Sequence, residues 1–376
     1  MKYPVCANLV LSGGGIRGIA YVGVFSSAEK YGISFRNIAG VSAGSIAGAL
    51  AAAGFRSSEI YKFMSESNFG DFKITEVSKR IPAVMRLYEY SRYTRTSPQD
   101  VIERFLQVPS FISSADNLLT DFENRGLFSN LIQYSKEGCL FDGNILEEWV
   151  YNCLSKRGVH TFGDIRNGVP DKINPKGYKI RMSAVDADRK KIIILPDDLA
   201  YYGYDPDKFS VATAVRMSCS VPFAFKPVTI ESKNTNNKYT YHIVDGGVLD
   251  GFPTWLVEST QNTPAVGFRL KGEQKKLFSL DTPLAIYKSL LSAVHDIGVP
   301  KEKLKLKYEG EVDCSSVGFL DMDLDDEQKR LLVYNGKISG NKIFPLLRKK
   351  YVRYPVFCPF YFGRRMGIKK GNNVNY

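Results

Sequence analysis

The first 53 residues repeat one arrangement twice: an apolar, strand-like stretch leads into a turn of very small residues and then into a helix-like run. In the first unit, Asn8–Leu11 precedes a glycine-rich turn and a helix predicted over Ile19–Lys30. In the second unit, Ile33–Val41 leads into Ser42-Ala43-Gly44 and a helix predicted over Ser45–Ala53. Strands and helices that alternate at this spacing are typical of a parallel sheet with crossover helices. The sequence therefore predicts an α/β fold.

Downstream, the sequence predicts further strands and helices separated by one long irregular segment. Strands are expected at Tyr178–Val185, Lys191–Leu195, Tyr239–Val244 and Ala265–Leu270. Asp142 is placed to cap a helix whose apolar face holds Ile145, Leu146, Trp149, Val150 and Cys153. Residues 69–140 alternate between aromatic and polar stretches, and we interpret them as a helical insertion over the sheet, a candidate lid.

The glycine-rich turn, Gly13-Gly14-Gly15-Ile16-Arg17-Gly18, satisfies the G-x-G-x-x-G pattern of dinucleotide-binding sheets. That use requires an acidic residue at the end of the second strand to bind the ribose, but no Asp or Glu occurs between Glu29 and Glu59. A phosphate-binding P-loop fails as well, because the Gly-Lys-Ser/Thr sequence is missing. The remaining chemical use is an oxyanion hole, in which bare backbone N–H groups approach a substrate oxygen. A purely structural tight turn is the alternative.

The second turn, Gly40-Val41-Ser42-Ala43-Gly44, matches G-x-S-x-G, the pattern of a nucleophile elbow. A serine held on a sharp strand-to-helix turn needs small neighbours, because the strand and the helix pass close beside it. The helix that follows directs its N-terminal dipole and free N–H groups at the serine, which favours a developing oxyanion. The pattern is weak alone, but its position between a predicted strand and a predicted helix makes Ser42 a candidate nucleophile.

A nucleophilic serine needs a base, and the three histidines of the chain are poor candidates. His295 lies in a helix-like segment, His242 alternates with apolar neighbours inside a predicted strand, and His160 lies in a loop. Asp245 is the stronger candidate, because it follows the strand end Ile243-Val244 and precedes two glycines that permit a tight approach. A carboxylate that is hydrogen-bonded to the serine hydroxyl can accept its proton without an imidazole. An ordinary Asp-Gly turn between strands is the alternative.

In chain order, the glycine turn, the serine turn and Asp245-Gly246-Gly247 resemble the motifs of the patatin-like phospholipase family. Ser218-Cys219-Ser220-Val221-Pro222 is similar to the family's Ser-x-Ser-x-Pro segment, so the resemblance covers residues 8 to about 250. It implies a three-layer α/β fold with a mostly parallel central sheet and helices on both faces. It also implies a Ser–Asp dyad that hydrolyses the acyl esters of lipids, in the manner of a phospholipase A. The implied residues are Ser42 and Asp245 for catalysis, Gly13, Gly14 and Gly15 for the oxyanion hole, and Arg17, Gly18, Gly40, Gly44, Gly246 and Gly247 as motif support.

The excess positive charge of the chain is confined to its C-terminal end. After Glu327 there is no acidic residue, whereas Lys and Arg number 12. Removing these from the total of 51 leaves 39 basic residues, which equals the 39 acidic residues of the chain. Aromatic residues accompany the basic ones, a composition that suits an anionic membrane surface. A packed terminal arm is the main alternative, and nucleic-acid binding is less favoured. We therefore expect a catalytic domain over 1–327 and a basic aromatic arm over 328–376.

Composition limits the remaining possibilities. No apolar run reaches 18 residues and strand-like sequence begins almost at once, so neither a membrane span nor a signal peptide is expected. Six scattered cysteines without C-x-x-C pairs indicate reduced thiols, which predicts a cytoplasmic protein with peripheral membrane attachment. No metal and no cofactor are expected, and the need for a protein activator stays open. The partner expected is membrane phospholipid or another acyl lipid. The alternative functions are a dinucleotide-binding oxidoreductase and a catalytically silent lipid-binding protein of the same fold.

Overall fold

The computed structural model describes residues 5–67, 142–222, 224–233, 239–260, 263–272, 306–318 and 323–351. Within them, eight strands form one sheet. The strands are β1 Val5–Leu11, β2 Ile33–Gly40, β3 Ile180–Asp186, β4 Lys191–Leu195, β5 Val228–Glu231, β6 Thr240–Asp245, β7 Ala265–Lys271 and β8 Tyr308–Asp313. The insertion predicted at 69–140 lies outside the described residues.

The centre of the sheet is parallel. The strands lie in the order β3-β2-β1-β7-β8, and each neighbouring pair in this series runs in the same direction. β4 and β6 pair with β3 in the antiparallel sense, and β5 pairs with β6 in the same way. The predicted mostly parallel sheet is confirmed, and it carries an antiparallel portion at β3 that the sequence did not indicate.

One edge of β3 is shared by two strands whose carboxyl ends approach each other. Met182 lies opposite Gly40 of β2 and also opposite a residue of β4, so β2 and β4 occupy different edges of β3. Ala184 lies opposite Asp245 of β6 and also opposite a residue of β4, so β6 and β4 occupy different edges as well. β2 and β6 therefore follow one another along the same edge. Their carboxyl ends are separated by two residues of β3, or about 7 Å.

Helices cover the sheet through two apolar clusters on its opposite faces. On one face, alternate residues of β1 (Val5, Ala7, Leu9 and Leu11) join the larger cluster. This cluster also takes in both Ala184 and Val185, neighbours in β3 that point to opposite faces, and residues of every α-helix in the described part of the chain. On the other face, Val10 packs with Phe252 and Leu256 beside the short 3-10 helix Thr254–Leu256. The α-helices are α1 Tyr21–Tyr31, α2 Ala43–Ala52, α3 Ser57–Glu66, α4 Gly143–Ser155, α5 Val211–Cys219 and α6 Asp326–Tyr351. The arrangement is the three-layer α/β architecture that the sequence predicts.

Residues 328–351, which the sequence assigns to the C-terminal arm, belong to α6 and pack on the domain. α6 crosses α1 so closely that a Cβ added at Gly336 would lie 1.9 Å from the Ala20 carbonyl oxygen. Phe344 and Leu347 of the same helix are fully buried. The boundary expected after residue 327 therefore falls inside a packed helix. The rest of the expected arm, residues 352–376, lies outside the described residues.

None of the helices in the described segments combines the length and the apolar character that crossing a membrane requires. Cys6, Cys153, Cys219 and Cys314 are buried thiols. Asp142 caps α4 as predicted, its side chain accepting the Asn144 N–H at 2.8 Å, but Ile145 is 39% exposed and lies off the apolar face expected for it.

Candidate active site

Ser42 lies on the sharp turn between β2 and α2. Its backbone angles are φ 53° and ψ −124°, a conformation that L-residues rarely adopt, and only Lys190 among the other described non-glycine residues has a positive φ. The Ser42 carbonyl accepts hydrogen bonds from the Ser45 N–H at 2.8 Å and from Ser45 Oγ at 2.6 Å, which starts the helix. A strained serine between a strand and a helix is the geometry of a nucleophile elbow.

The small residues around Ser42 are required by contacts between backbones. A Cβ at Gly40 would lie 2.5 Å from the Gly44 carbonyl oxygen, and a Cβ at Gly44 would lie 2.4 Å from the Leu11 carbonyl oxygen. A Cβ at Gly18 would lie 2.9 Å from Cβ of Ala43. The elbow therefore closes only because β1, β2 and the start of α2 touch one another without intervening side chains. Gly18, Gly40 and Gly44 are thus positions at which an added side chain would force these segments apart.

The glycine turn lies beside the elbow and presents two free amides. The Gly13 N–H donates to the Gly251 carbonyl at 3.1 Å, so this predicted oxyanion donor is already engaged. Within the described part of the chain, the N–H groups of Gly14 and Gly15 donate to no acceptor. Gly15 has φ 56° and starts the 3-10 helix Gly15–Ala20, and a Cβ at Gly14 would lie 2.5 Å from Cδ1 of Leu270. The candidate oxyanion hole therefore narrows to the amides of Gly14 and Gly15.

Tyr21 and Ser12 hold the glycine turn against β7. The Tyr21 hydroxyl donates to the Ser12 carbonyl at 2.7 Å, and Ser12 Oγ accepts the Leu270 N–H at 3.0 Å and donates to the Gly13 carbonyl at 2.9 Å. Tyr21 is fully buried, and this burial raises the pKa of its phenol above the ordinary value. These buried hydrogen bonds hold the glycine turn in one conformation beside β7.

Arg17 ties the glycine turn to the segment that follows β8. Its Nε donates to the Val317 carbonyl at 2.8 Å, and its guanidinium fills the space beside Gly272, where an added Cβ would lie 2.1 Å from Nη1. Burial raises the pKa of the neighbouring Cys314 thiol to about 12, although the Arg17 charge opposes this change. These contacts place Arg17 as an anchor between the glycine turn and the segment after β8.

Asp245 is the last residue of β6 and is 1% exposed. Its Oδ1 accepts the Gly247 N–H at 2.6 Å, and its own N–H donates to the Ser220 carbonyl at 2.9 Å. A Cβ at Gly246 would lie 2.6 Å from the Ser183 carbonyl oxygen, which explains the glycine after the aspartate. Asp245 lies at the carboxyl end of a strand as predicted, but β6 is antiparallel to β3 and so lies outside the parallel set. Asp245 reaches the carboxyl end of β2 through the register of β6 along the shared edge of β3.

The end of α5 connects the two candidate catalytic residues. The Ser42 N–H donates to Ser218 Oγ at 3.0 Å, and Ser218 Oγ donates to the Ser183 carbonyl at 2.8 Å. Cys219 Sγ lies 3.5 Å from Ser45 Oγ, and burial together with the nearby Asp245 charge raises the pKa of the Cys219 thiol. Sequence reasoning recognised this segment only as a family motif and did not predict α5. The Ser210 cap, which accepts the Thr213 N–H at 3.2 Å, is the signal that would have located the helix start.

The histidines take no part in this arrangement where they are described. His242 lies in β6 with Nδ1 3.0 Å from an Asp188 carboxylate oxygen, and His160 is exposed and packs against the Tyr151 ring. His295 lies outside the described residues. Over the described ranges, no group of three His, Cys, Asp or Glu side chains is placed to hold a metal ion.

The chain belongs to the patatin-like phospholipase family, since the model of that family matches residues 9–257. This match begins in β1, includes the glycine turn, the elbow and Asp245, and ends beyond the 3-10 helix Thr254–Leu256. It confirms the resemblance seen in the sequence and the patatin fold. Membership of this family supports a lipid-hydrolysing activity for the chain.

The chain is also similar to individual proteins, over different shares of its length. The chain is 31% identical over 267 residues to the uncharacterized protein YqhO of Bacillus subtilis, which covers 71% of this chain and 72% of that protein. It is 31% identical over 200 residues to the lysophospholipase NTE1 of Candida albicans, covering 46% of this chain but 14% of that much longer protein. Among solved structures, VipD from Legionella pneumophila superposes over 92% of this chain and 67% of that chain, with 14% identity and a TM-score of 0.48.

Proposed function

We propose that the chain is a serine-dependent lipid acyl hydrolase of the phospholipase A type, with Ser42 as nucleophile and Asp245 as base. The observation that carries the proposal is the shared edge of β3, along which β2 and β6 bring their carboxyl ends within about 7 Å of each other. A strained serine follows one of these ends and a buried carboxylate closes the other. A serine nucleophile and a base that can take its proton are the minimum that acyl transfer requires, and this register supports that pairing of roles.

In the first half of the proposed reaction, Ser42 Oγ attacks the carbonyl carbon of the acyl ester while its proton passes to the Asp245 carboxylate. The carbonyl oxygen becomes an oxyanion, and the free N–H groups of Gly14 and Gly15 donate to it. The N-terminus of α2 adds a favourable dipole at the same place. Collapse of this intermediate breaks the bond to the lipid alcohol, which leaves with the proton held by Asp245 and gives an acyl-serine.

In the second half, water attacks the acyl-serine. Asp245 accepts one proton from this water and returns it to Ser42 Oγ as the fatty acid departs, so the carboxylate and the hydroxyl are both regenerated. Each proton is accounted for by the dyad, and no cofactor takes part in any step. The same aspartate acts as base when each nucleophile attacks and as acid when each leaving group departs.

The proposal is tested by labelling with a fluorophosphonate probe, which reacts covalently with activated serines. Ser42→Ala is expected to abolish labelling and to lower ester hydrolysis by at least about 10⁴-fold, as removal of a catalytic serine does in other hydrolases. Asp245→Asn keeps the shape of the side chain and removes its basicity, so the labelling rate should fall strongly while the fold persists. The control variant is Ser155→Ala, at the exposed end of α4, where the Ser155 hydroxyl bonds within its own helix. Ser45→Ala is unsuitable, because the Ser45 hydroxyl donates to the Ser42 carbonyl of the elbow. Equal labelling of the parent and Ser42→Ala would disprove the mechanism.

The membrane surface is the proposed site of action, and the charge distribution supports it. Seven of the 12 basic residues after Glu327 lie on α6, namely Lys329, Arg330, Lys337, Lys342, Arg348, Lys349 and Lys350. A useful truncation therefore ends after Tyr351, which keeps the packed helix and removes the other five basic residues. Since each basic residue near an anionic surface contributes about 1 kcal/mol, binding to phosphatidylserine vesicles should weaken by at least about 10-fold. Unchanged binding would show that residues 352–376 do not contribute to membrane attachment.

A further inference from the structure

We infer that Ser218 is the positioning residue of the elbow: its buried hydroxyl holds the Ser42 N–H and thereby fixes the direction of the nucleophile. The catalytic consequence of this inference rests on the proposed function, but the structural part does not. Ser218 lies at the end of α5 and is fully buried, and its hydroxyl contacts both the turn after β2 and strand β3. Nothing in the proposed reaction requires this hydroxyl to touch the substrate.

The Ser218 hydroxyl is the acceptor in one hydrogen bond and the donor in another. Its oxygen accepts the Ser42 N–H at 3.0 Å, and its proton is donated to the Ser183 carbonyl at 2.8 Å. Because the proton is committed to Ser183, the oxygen presents a lone pair to Ser42 in a fixed direction. The Ser42 N–H lies in a backbone with φ 53°, and such a conformation persists only where surrounding contacts determine it. Ser218 supplies that contact at the strained residue itself.

The same short segment reaches the other half of the dyad. The Ser220 carbonyl, two residues along the chain, accepts the Asp245 N–H at 2.9 Å. Between them, Cys219 places its sulfur 3.5 Å from Ser45 Oγ of the elbow helix. The end of α5 is therefore a bracket that holds the backbone of Ser42 through a side chain and the backbone of Asp245 through a carbonyl. Of these two contacts, only the one made by Ser218 can be removed by mutation of a side chain.

The bracket also explains why a serine is needed at position 218. In Ser218→Ala, the Ser42 N–H and the Ser183 carbonyl would both lose the hydrogen bond to the hydroxyl. Both residues are buried, so water does not readily replace that bond. The strained turn would then relax toward a more ordinary backbone and rotate Ser42 Oγ away from its attacking direction. Since a displacement of about 1 Å in a catalytic group can cost about 100-fold in rate, the effect should appear in kcat rather than in KM.

The test compares four variants of the full chain. Ser218→Ala removes the hydroxyl. Ser218→Thr and Ser218→Val both add a methyl group and share its steric cost, but only threonine keeps an oxygen. Ser210→Ala is the stability control, because it removes the cap at the opposite end of the same helix without contact to the dyad. The measurements are the rate of fluorophosphonate labelling, kcat and KM on an acyl ester, and hydrogen exchange of the Ser42 amide.

We expect Ser218→Ala and Ser218→Val to label about 10- to 100-fold more slowly than the parent, with KM little changed. Ser218→Thr should label at least about 10-fold faster than Ser218→Val, and exchange of the Ser42 amide should accelerate in the alanine and valine variants only. Ser210→Ala should lower the melting temperature and leave the labelling rate intact. Equal behaviour of the threonine and valine variants in exchange and labelling would overturn the inference. If the parent itself does not label, the proposed function fails, and amide exchange alone still decides whether Ser218 holds the elbow.

Discussion

The two halves of the candidate dyad are built in different ways. Ser42 is produced by a continuous stretch of chain: β2, the turn and α2 follow one another between residues 33 and 52, and the neighbouring contacts come from β1 and the glycine turn. Asp245 lies about 200 residues further along the chain, at the end of a strand that runs against the direction of its partner β3. The nucleophile therefore depends on local geometry, whereas the base depends on the register of two antiparallel strands.

This difference determines how each half should fail. At the elbow, backbone atoms touch backbone atoms, and these strands and helices cannot easily move apart. A single methyl group added at Gly40 or Gly44 should therefore prevent the turn around Ser42 from forming. The base is placed by a strand end that pairs with Ala184 of β3 and donates its N–H to the Ser220 carbonyl. A disturbance there should shift the carboxylate while the elbow keeps its shape. Substitutions of glycine in the two halves separate these outcomes.

The largest effect is expected from Gly44→Ala. The added Cβ would lie 2.4 Å from the Leu11 carbonyl oxygen and 2.7 Å from the Ser12 carbonyl oxygen, and neither backbone group can move independently. We expect a loss of about 3 kcal/mol in the free energy of unfolding and no detectable hydrolysis. Thermal denaturation and probe labelling measure both. Gly48→Ala in the same helix is the matched control, because its Cβ would meet movable ends of Ile180 and Ile38 and should leave activity largely intact. Equal loss in both variants would contradict the local origin of the elbow.

Gly246→Ala tests the other half and should have the second largest effect. Its Cβ would lie 2.6 Å from the Ser183 carbonyl oxygen, so the turn after Asp245 must shift away from β3. We expect kcat to fall by about 100-fold because the carboxylate is displaced. Hydrogen exchange of the Ser42 amide should accelerate less than in Gly44→Ala, because Ser183 reaches Ser42 indirectly, through the Ser218 hydroxyl. Exchange at Ser42 as fast as in Gly44→Ala would contradict the different origin of the two halves.

Sequence reasoning anticipated the local half of the site far better than the distant half. Ser42, the glycines around it and the strands and helices of the first 53 residues were readable because close neighbours in sequence are close neighbours in space. Asp245 was selected correctly as the end of a strand, but the direction of that strand was not readable, since pairing depends on residues 60 positions earlier in β3. β5 has four residues and was missed for its length, while β8 shows alternate burial of Tyr308, Gly310 and Val312 that a search for period two would have found.

The boundary expected after residue 327 is a second case in which the sequence pattern did not reveal how a segment packs. The charge pattern placed a terminal arm after residue 327, because every acidic residue precedes that point. Charge distribution reports on the exposed side chains of a segment and not on what its other face buries. α6 is basic where it is exposed and buries Leu332, Phe344 and Leu347 on its opposite side. α6 crosses α1 at Gly336, where backbones touch and no apolar side chains mark the contact in the sequence. Composition alone therefore could not show that α6 packs on the domain.

A smaller effect is expected from Arg17, whose contacts tie the glycine turn to the segment after β8. Arg17→Ala removes the hydrogen bond to the Val317 carbonyl and should cost about 2 kcal/mol of stability, with a loss of activity smaller than that of Gly246→Ala. Arg17→Lys keeps the charge but lacks the guanidinium geometry, so it should not restore the stability. If Arg17 instead served a lipid phosphate, lysine would recover activity on anionic lipids while the alanine variant would keep its melting temperature. Denaturation combined with activity on charged and neutral esters distinguishes the two roles.

The smallest effect concerns Tyr21, which joins the glycine turn to β7 on the locally built side of the site. Tyr21→Phe removes the hydrogen bond to the Ser12 carbonyl and should cost about 1 kcal/mol at neutral pH. Burial raises the pKa of the Tyr21 phenol, so the native state holds this proton more tightly than the unfolded chain does. The stability that results is fully present below pH 10, the ordinary value for tyrosine, and is lost as the pH rises above it. The difference in unfolding free energy between the parent and Tyr21→Phe should therefore shrink above pH 10. A difference that stays constant from pH 8 to pH 11 would contradict a raised pKa of the Tyr21 phenol in the native state.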